Sequence, residues 1–377
     1  MEHLIKRTFI DLKKQIKVYA EQGHAEEKDW LRHLIHPIRA RWGDGTVQWE
    51  QWASGFDFYK NLFVLSDEIE DSDIVFLPMT LNYYIKNKKL GLVNDLVSRA
   101  QAVNKETYVW VDGDRQILYD NPGCVFLKYS GFYSKSQSNE LILSGDMKKD
   151  LLFEHFNGRL VEKEKNKRPL VGFDGNAIYP IFRLGGLILK NSIVMLRHYL
   201  LRTHYVPDPV LPYLLQRKKI LNKLEKVDGI DTNFNIRDSF AVGTVGGNKV
   251  ARSEYIDNII NSDYTFCYRG AANYSLRFYE SLCLGRIPLF VNTDCMLPFA
   301  DKVSWKDVCL WVEEHNIKYI GEAIIDFHLS ITASEFIDRQ HYCREIWLKY
   351  CDNEGFYSEF HSYLYNNLVD INIKKNI

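Results

Sequence analysis

Long apolar runs are missing from this sequence, and no stretch approaches the ~20 apolar residues that a membrane-spanning helix needs. Residues 1–20 carry charges every few positions and contain no continuous apolar segment, so we expect no secretory signal peptide. An excess of charge of either sign is missing too, because 48 Lys and Arg oppose 49 Asp and Glu. A chain without a global electrostatic field is disfavoured as a nucleic-acid-binding protein, and we expect no nucleic-acid partner.

Paired cysteine motifs are also absent. The seven cysteines are odd in number, show no C-x-x-C spacing and lie mostly within apolar stretches. This usage is typical of buried thiols in a reducing compartment, and it predicts a cytoplasmic protein that is either soluble or peripheral to the inner face of the membrane. No His/Cys cluster has the spacing of a metal site, so we expect no metal.

What is present is enough apolar material for a sizeable core, with 46% hydrophobic and 14% aromatic residues in 377 positions. That length suits two domains. The clearest change in composition is VEKEKNKRP at residues 161–169, which we interpret as a linker. We therefore predict an N-terminal domain over residues 1–165, a C-terminal domain over 166–350 and a final helix over 351–377 that packs back on the first domain.

Strand and helix patterns alternate in both halves. In the first half, the patterns predict a helix at 5–19, strands at 73–79, 107–114 and 124–130, and a helix at 91–103. In the second half, they predict strands at 169–177, 263–270, 286–292 and 305–312, helices at 187–203 and 275–285, and three helices from 316 onward. The fold class is therefore α/β, with two doubly wound, Rossmann-like domains facing a cleft.

The chemistry is concentrated where the strand at 263–270 runs into the helix at 275–285. In open α/β sheets, ligands bind at such junctions, beside the free N–H groups of the helix start. The junction contains Arg269, Gly270, Asn273, Ser275, Arg277 and Glu280. Gly270 permits a sharp turn, Asn273 or Ser275 can cap the helix, and the two guanidinium groups match phosphate oxygens. The pattern predicts a site for a dianion.

Glu280 lies three residues after Arg277, so both side chains project from neighbouring positions of one helical face. A carboxylate one turn inside a phosphate-binding helix can accept hydrogen bonds from both hydroxyls of a ribose. The alternative is an exposed ion pair that contributes only a few tenths of a kcal/mol.

Residues 262–299, SDYTFCYRGAANYSLRFYESLCLGRIPLFVNTDCMLPF, with VSW at 303–305 and NFNIRDSF at 233–240, resemble the nucleotide-sugar-binding half of the exostosin-like glycosyltransferases. An Arg-Gly after a strand, a Ser-x-Arg-Phe-x-Glu helix start, a Gly-x-Ile-Pro turn and a Leu-Pro-Phe segment follow in order. The resemblance implies a GT-B fold and inverting transfer from a nucleotide sugar, usually UDP-linked, to a glycan or glycolipid. It implies no cofactor beyond the donor.

The resemblance also assigns roles to residues. It places Arg269 and Arg277 at the diphosphate with Ser275 nearby, and it places Glu280 at the ribose. Arg237 lies in the matched region and is expected either to line the donor pocket or to form a structural ion pair. Animal exostosins add a membrane anchor and a second catalytic domain, so the chain looks more like a bacterial or viral hexosyl- or pentosyltransferase of surface-polysaccharide assembly.

Inverting transfer needs a base for the acceptor hydroxyl, which should come from across the cleft. Asp112 and Asp114, in VDGDR at a predicted strand end, are the best-placed candidates, followed by Asp174 and His204. Asp112 and Asp114 also form an Asp-x-Asp pair, so a metal-dependent GT-A enzyme is an alternative, as is a non-catalytic nucleotide- or carbohydrate-binding protein. The basic stretch at 216–226 is either a solvated helix face or a peripheral contact with an anionic membrane.

Overall fold

A computed structural model describes residues 15–24, 59–113, 116–144, 150–178, 182, 184–207, 209–237 and 249–375. These residues form two separate parallel sheets with helices packed against them. The prediction of an α/β fold with two Rossmann-like units is confirmed, and two such units facing each other are consistent with the GT-B architecture.

The first sheet has six strands in the order β2-β1-β3-β4-β5-β6, and every pair of neighbours is parallel. Its elements are β1 (Ile16–Tyr19), α1 (Tyr59–Leu62), β2 (Phe63–Ser66), β3 (Ile74–Phe76), α2 (Leu81–Lys86), α3 (Leu90–Ala102), β4 (Thr107–Val111), β5 (Cys124–Lys128) and β6 (Glu140–Ile142). Short 3₁₀ turns occur at Gln22–His24 and Tyr133–Lys135.

The second sheet has five strands in the order β11-β10-β9-β7-β8, again all parallel. Its elements are α4 (Leu151–Phe156), β7 (Leu170–Asn176), α5 (Leu184–Leu201), α6 (Tyr213–Leu224), β8 (Asp231–Arg237), α7 (Lys249–Asn261), β9 (Tyr264–Cys267), α8 (Leu276–Cys283), β10 (Ile287–Asn292), α9 (Trp305–Val308), β11 (Leu310–Glu313), α10 (Ile320–Ser330), α11 (Ala333–Ile346) and α12 (Asn353–Lys375). A 3₁₀ turn, Glu314–Tyr319, follows β11, and a π turn, Trp347–Cys351, precedes α12.

Both sheets reverse their strand order between the first and third strands. In the second sheet the reversal lies between β7 and β9, because β8 pairs on the far side of β7. Connections leave a doubly wound sheet in opposite directions at this point, which opens a crevice at the carboxyl ends of the two strands. The fold therefore places the Arg269 loop, directly after β9, at the crevice of the second sheet.

Two local predictions are wrong. The segment predicted as a helix at 5–19 contains a strand, β1, where the structure describes it, because Ile16–Tyr19 pairs with β2 on one side and with β3 on the other. The segment predicted as a strand at 305–312 begins as helix α9, and the strand β11 starts at Leu310. With only four residues, β1 is too short for its alternation of buried Ile16, exposed Lys17 and buried Val18 to stand out from a helical pattern.

Each sheet has its own hydrophobic core. The boundary between the two cores does not fall at a single point in the sequence, because two helices pack on the core of the other half of the chain. Helix α12, at the end of the chain, contributes Phe356, Phe360 and Leu364 to the core of the first sheet. The Phe360 ring lies edge-on to Tyr108 at 6.2 Å between centroids. Helix α4, which precedes the predicted linker, contributes Leu151 and its neighbour to the core of the second sheet.

All seven cysteines are buried and unbridged, as their spacing predicts. Among the helices in the described part of the chain, none combines the length and the apolar character required to cross a bilayer.

Candidate functional site

The carboxyl ends of the two sheets face each other. The loop after β5 meets the loops after β9 and β10: Phe132 forms an antiparallel bridge with Cys295, and Tyr133 N donates to Asp294 O at 2.9 Å. A cavity of about 540 Å³ opens between these loops. It is lined by Phe132, Tyr213, Arg269, Asn292, Thr293, Asp294, Glu313, Glu314 and His315.

Three arginines converge at the crevice between β7 and β9, and we call them the arginine cluster: Arg217 on α6, Arg269 after β9 and Arg277 on α8. Their hydrogen bonds go to backbone carbonyls. Arg217 donates to Asn176 O and Arg269 O, both at 2.7 Å, and Arg277 Nη2 donates to Asp174 O at 2.7 Å. Arg269 Nη2 reaches the carbonyl two residues further along the chain at 3.1 Å.

The arginine cluster is not ion-paired with a carboxylate of the described residues. Within the ranges that the structure describes, no Asp or Glu oxygen lies at ion-pair distance from any of the three, and the buried Nε atom of each lacks a hydrogen-bond partner. Burial lowers the pKa of Arg217 to about 10, and the nearby Arg277 charge adds to that shift. Burial likewise lowers the pKa of Arg269. An anion placed here would offset the free-energy cost of burying cations together.

Aromatic rings hold the guanidinium planes in place. The Arg269 Cζ atom lies 3.7 Å from the Tyr213 ring centroid and 5.3 Å from that of Phe132, so it is held between a ring of each half of the chain. The Arg277 Cζ atom lies 4.3 Å from the Phe173 centroid. Such cation–π contacts restrict side chains that would otherwise lose much rotamer entropy when they bind a ligand.

Glu280 lies one turn inside α8 and is buried. Its carboxylate accepts a hydrogen bond from the Tyr255 hydroxyl and another from Arg252 Nη1 at 3.0 Å. An ionised carboxylate has about four acceptor positions, so capacity remains for further donors. Burial and the Glu280 charge raise the pKa of Tyr255 well above its usual value, which keeps that hydroxyl protonated as a donor.

Arg237 has its charge balanced within the protein. It makes a two-pronged contact with Asp174, at 2.6 Å from Nε and 2.7 Å from Nη2, and a further 2.8 Å contact with Glu254. The same contacts occupy both carboxylate oxygens of Asp174, which is fully buried. Arg237 and Asp174 therefore brace the ends of β7 and β8, and Arg277 lies against the carbonyl of Asp174.

The remaining predicted residues at the β9–α8 junction have different surroundings. Asn273 is buried, and its amide donates to Gly131 O at 2.9 Å and to Thr293 O at 3.1 Å, so it joins the two halves. Ser275 precedes α8 at the N-cap position, with no side-chain cap bond. Around Gly270 the space is open, since an added Cβ would meet only Arg217 Nη2 at 3.8 Å.

Of the candidate bases, Asp112 lies on the opposite half. Asp112 directly follows β4 and is exposed; its carboxylate accepts from Gly113 N at 2.7 Å, and its backbone is held by the Asn82 amide. Asp114 lies outside the described residues. His204 is held elsewhere, with Nδ1 at 3.2 Å from Leu118 O. In the part of the chain that the structure describes, no three His, Cys, Asp or Glu side chains are placed to hold a metal ion together.

Local sequence patterns do not indicate several residues of this site. Arg217 lies in the basic stretch at 216–226, where its lysine neighbours are exposed or half-buried, and Phe132 and Tyr213 lie in no motif. Only the pairing of β7 with β9 brings α6 and the Arg269 loop together. The sequence offers one signal for Arg217: its spacing places it on the same helix face as the apolar Ile220, Leu221 and Leu224, which are buried.

Comparison with curated proteins finds short similarities to glycosyltransferases. A probable β-1,4-xylosyltransferase IRX10L of Arabidopsis thaliana is 32% identical over 66 residues, which cover 18% of this chain and 16% of that protein. Exostosin-1 of Drosophila melanogaster is 27% identical over 99 residues, covering 26% and 12%, and a probable glucuronoxylan glucuronosyltransferase IRX7 of Arabidopsis thaliana is 32% identical over 85 residues, covering 22% and 18%.

These matches span less than a fifth of the length of each relative. They confirm the resemblance to exostosin-type glycosyltransferases over a short segment, and the relatives come from plants and a fly rather than from bacteria or viruses. No family model matches the chain.

Proposed function

We propose that this chain is a glycosyltransferase that transfers one sugar from a nucleotide sugar, most simply a UDP-sugar, to a glycan or glycolipid acceptor with inversion at the anomeric carbon. The single observation that carries the proposal is the arginine cluster, which gathers three guanidinium groups without a carboxylate partner, in the described part of the chain, at the crevice where doubly wound sheets bind their ligands. The similarity to xylosyl- and glucuronosyltransferases supports the reaction class.

The donor diphosphate would occupy the arginine cluster. Each charge-assisted hydrogen bond to a phosphate contributes about 1.5–3 kcal/mol, and guanidinium forks suit two-pronged contacts with phosphate oxygens. The start of α8 adds roughly half a positive charge beside the same position. Glu280, one turn further along the helix, would accept hydrogen bonds from the ribose hydroxyls.

Transfer requires the acceptor oxygen to form a bond to the anomeric carbon while the bond from that carbon to the diphosphate breaks. The departing nucleoside diphosphate gains negative charge, which Arg269, Arg277 and the α8 N-terminus would stabilise. The acceptor hydroxyl loses its proton to a base on the first half, for which Asp114 and Asp112 are our candidates. In this scheme the arginines provide the charge neutralisation that a metal provides in GT-A enzymes.

Two measurements test this function in sequence. A thermal-shift series with UDP compares wild-type protein with Arg269→Ala and with the matched control Arg168→Ala, since Arg168 is a half-exposed surface arginine paired with Asp231 at 3.2 Å. We expect UDP to raise the melting temperature of wild type and Arg168→Ala but not of Arg269→Ala. Equal shifts in all three proteins would contradict the diphosphate site.

The second measurement is release of nucleoside diphosphate from a panel of UDP-, GDP- and CMP-sugars, including hexosyl and pentosyl donors. We expect slow hydrolysis of one UDP-sugar, which would also settle whether a hexose or a pentose is transferred. Stabilisation by UDP without release from any donor would support a non-catalytic nucleotide-binding protein instead.

A further inference from the structure

Helix α5 lies in the connection from β7 to β8 and buries little of its own apolar surface. The connection from β7 to β8 contains two helices, and the second, α6, contributes Ile220, Leu221 and Leu224 to the core. Within α5 the one buried side chain is polar: Asn191, whose amide donates to Pro209 O at 3.0 Å. A crossover between neighbouring parallel strands needs only one helix, so the composition of α5 is not explained by packing against the sheet.

The apolar face of α5 points away from the protein. Leu189, Ile193, Leu196 and Leu200 follow each other at i, i+4, i+7 and i+11, which places them in one stripe along the helix. Three of them expose 64%, 59% and 71% of their surface. Surface helices of globular proteins normally show the reverse arrangement, with the apolar stripe inward. A contiguous apolar stripe that faces outward marks an interaction surface.

The charge within the segment that contains this stripe is of one sign. From residue 175 to residue 207 the sequence contains no Asp or Glu, although the chain as a whole is neutral. The same segment contains Lys190, Arg197 and Arg202, and all three are exposed. Lys190 and Arg197 lie seven residues apart, so they flank the stripe on the same side. Apolar side chains bordered by cations, without anions, complement a surface that is apolar inside and negative at its boundary.

The segment is also fixed to both halves of the molecule. Directly after α5, Tyr205 forms an antiparallel bridge with Ile117, and Leu118 N donates to His204 O at 2.7 Å. On the other side, α5 follows β7, whose carboxyl end supports the arginine cluster. The outward stripe is therefore held beside the cleft rather than on a free tether.

We propose that the outer face of α5, formed by Leu189, Ile193, Leu196 and Leu200 with Lys190 and Arg197, docks on the interfacial region of an anionic lipid bilayer. The apolar side chains would enter the boundary between headgroups and acyl chains, while the two cations contact lipid phosphates. A second copy of the chain fits this face less well, because pairing the stripe with itself would bring like charges together. Docking here would hold the cleft beside the membrane surface.

Sedimentation of the full-length protein with vesicles tests the proposal. One set of vesicles contains phosphatidylcholine alone, and the other contains equal parts of phosphatidylcholine and phosphatidylglycerol. We expect the protein to sediment with the second set only, and to be released by high salt. Leu196→Ser/Leu200→Ser should weaken binding by about tenfold or more, because each Leu→Ser change removes an apolar side chain from the interface.

Leu329→Ser is the matched control, since Leu329 is as exposed as Leu200 but lies on α10, away from the stripe. It should bind vesicles like wild type. Because the replaced leucines are exposed, all variants should keep the wild-type melting temperature.

The proposal is overturned if wild type stays in the supernatant with anionic vesicles, or if the Leu196→Ser/Leu200→Ser and Leu329→Ser variants lose binding equally. A wild-type dimer that Leu196→Ser/Leu200→Ser converts to a monomer, without vesicle binding, would assign the face to a second copy. Neither outcome depends on UDP binding.

Discussion

Replacing Arg277 by alanine should separate phosphate binding from folding. In the ligand-free protein, this side chain donates one hydrogen bond to Asp174 O, lies over the Phe173 ring and raises the local positive charge at Arg217. Among the described residues, its Nε atom has no hydrogen-bond partner. The substitution therefore removes a group that has a donor left for the proposed anion.

The expected magnitudes differ in the two states. With UDP, the loss of one charge-assisted phosphate contact is worth about 1.5–3 kcal/mol, or a roughly 10- to 150-fold weaker dissociation constant. Without ligand, the lost hydrogen bond and the lost contact with the Phe173 ring are partly offset, because the Arg277 charge no longer acts on Arg217. The free energy of unfolding should thus fall by only about 1–2 kcal/mol.

Isothermal titration with UDP, UMP and uridine, together with thermal unfolding, measures both effects. Arg277→Ala should lose affinity for UDP and leave uridine affinity unchanged, while the control Arg168→Ala keeps wild-type affinity for all three. An Arg277→Ala protein that binds UDP as tightly as wild type would refute the assignment of this side chain to the diphosphate. An equal loss for uridine would refute it too, because the effect would then reflect a distorted pocket.

Three further predictions concern the ribose, the last helix and metal dependence. Glu280→Gln should lower UDP affinity about tenfold without changing pyrophosphate affinity, because a neutral amide accepts hydrogen bonds from the ribose hydroxyls less strongly than a carboxylate does. Equal losses of affinity in titrations with UDP and with pyrophosphate would exclude the ribose role. Phe360→Ala should destabilise the protein by about 3–5 kcal/mol in thermal or denaturant unfolding, since α12 completes the core of the first sheet. The control Phe153→Ala should destabilise it far less, because the Phe153 ring is half-exposed. Donor hydrolysis should persist in EDTA, because in the proposed mechanism the arginine cluster neutralises the leaving group. Loss of hydrolysis in EDTA that a divalent cation restores would favour the metal alternative at Asp112 and Asp114.

Much of the second sheet was predictable because its signals are local. The strand at β9, the glycine that ends α8 and the apolar run of β10 are adjacent in the chain, and Gly285 has the positive φ of 63° that its place after the helix suggests. The same local reading located Arg269, Arg277 and Glu280 at one junction. It failed for β1, because the alternation of a four-residue strand is too short to be distinguished from a helical pattern.

The sequence alone determined the strand–helix–strand order of β9, α8 and β10, and the polar junction that resembles part of a glycosyltransferase. Both depend on residues within about one helix length of each other, where spacing dictates geometry. Tertiary structure decided the rest. It brought Arg217 from a basic helix into the arginine cluster, paired Arg237 with Asp174, and used Asn273 to join the two halves. It also turned the apolar stripe of α5 outward, because whether a helix buries its apolar face depends on the surface it packs against and not on its own sequence.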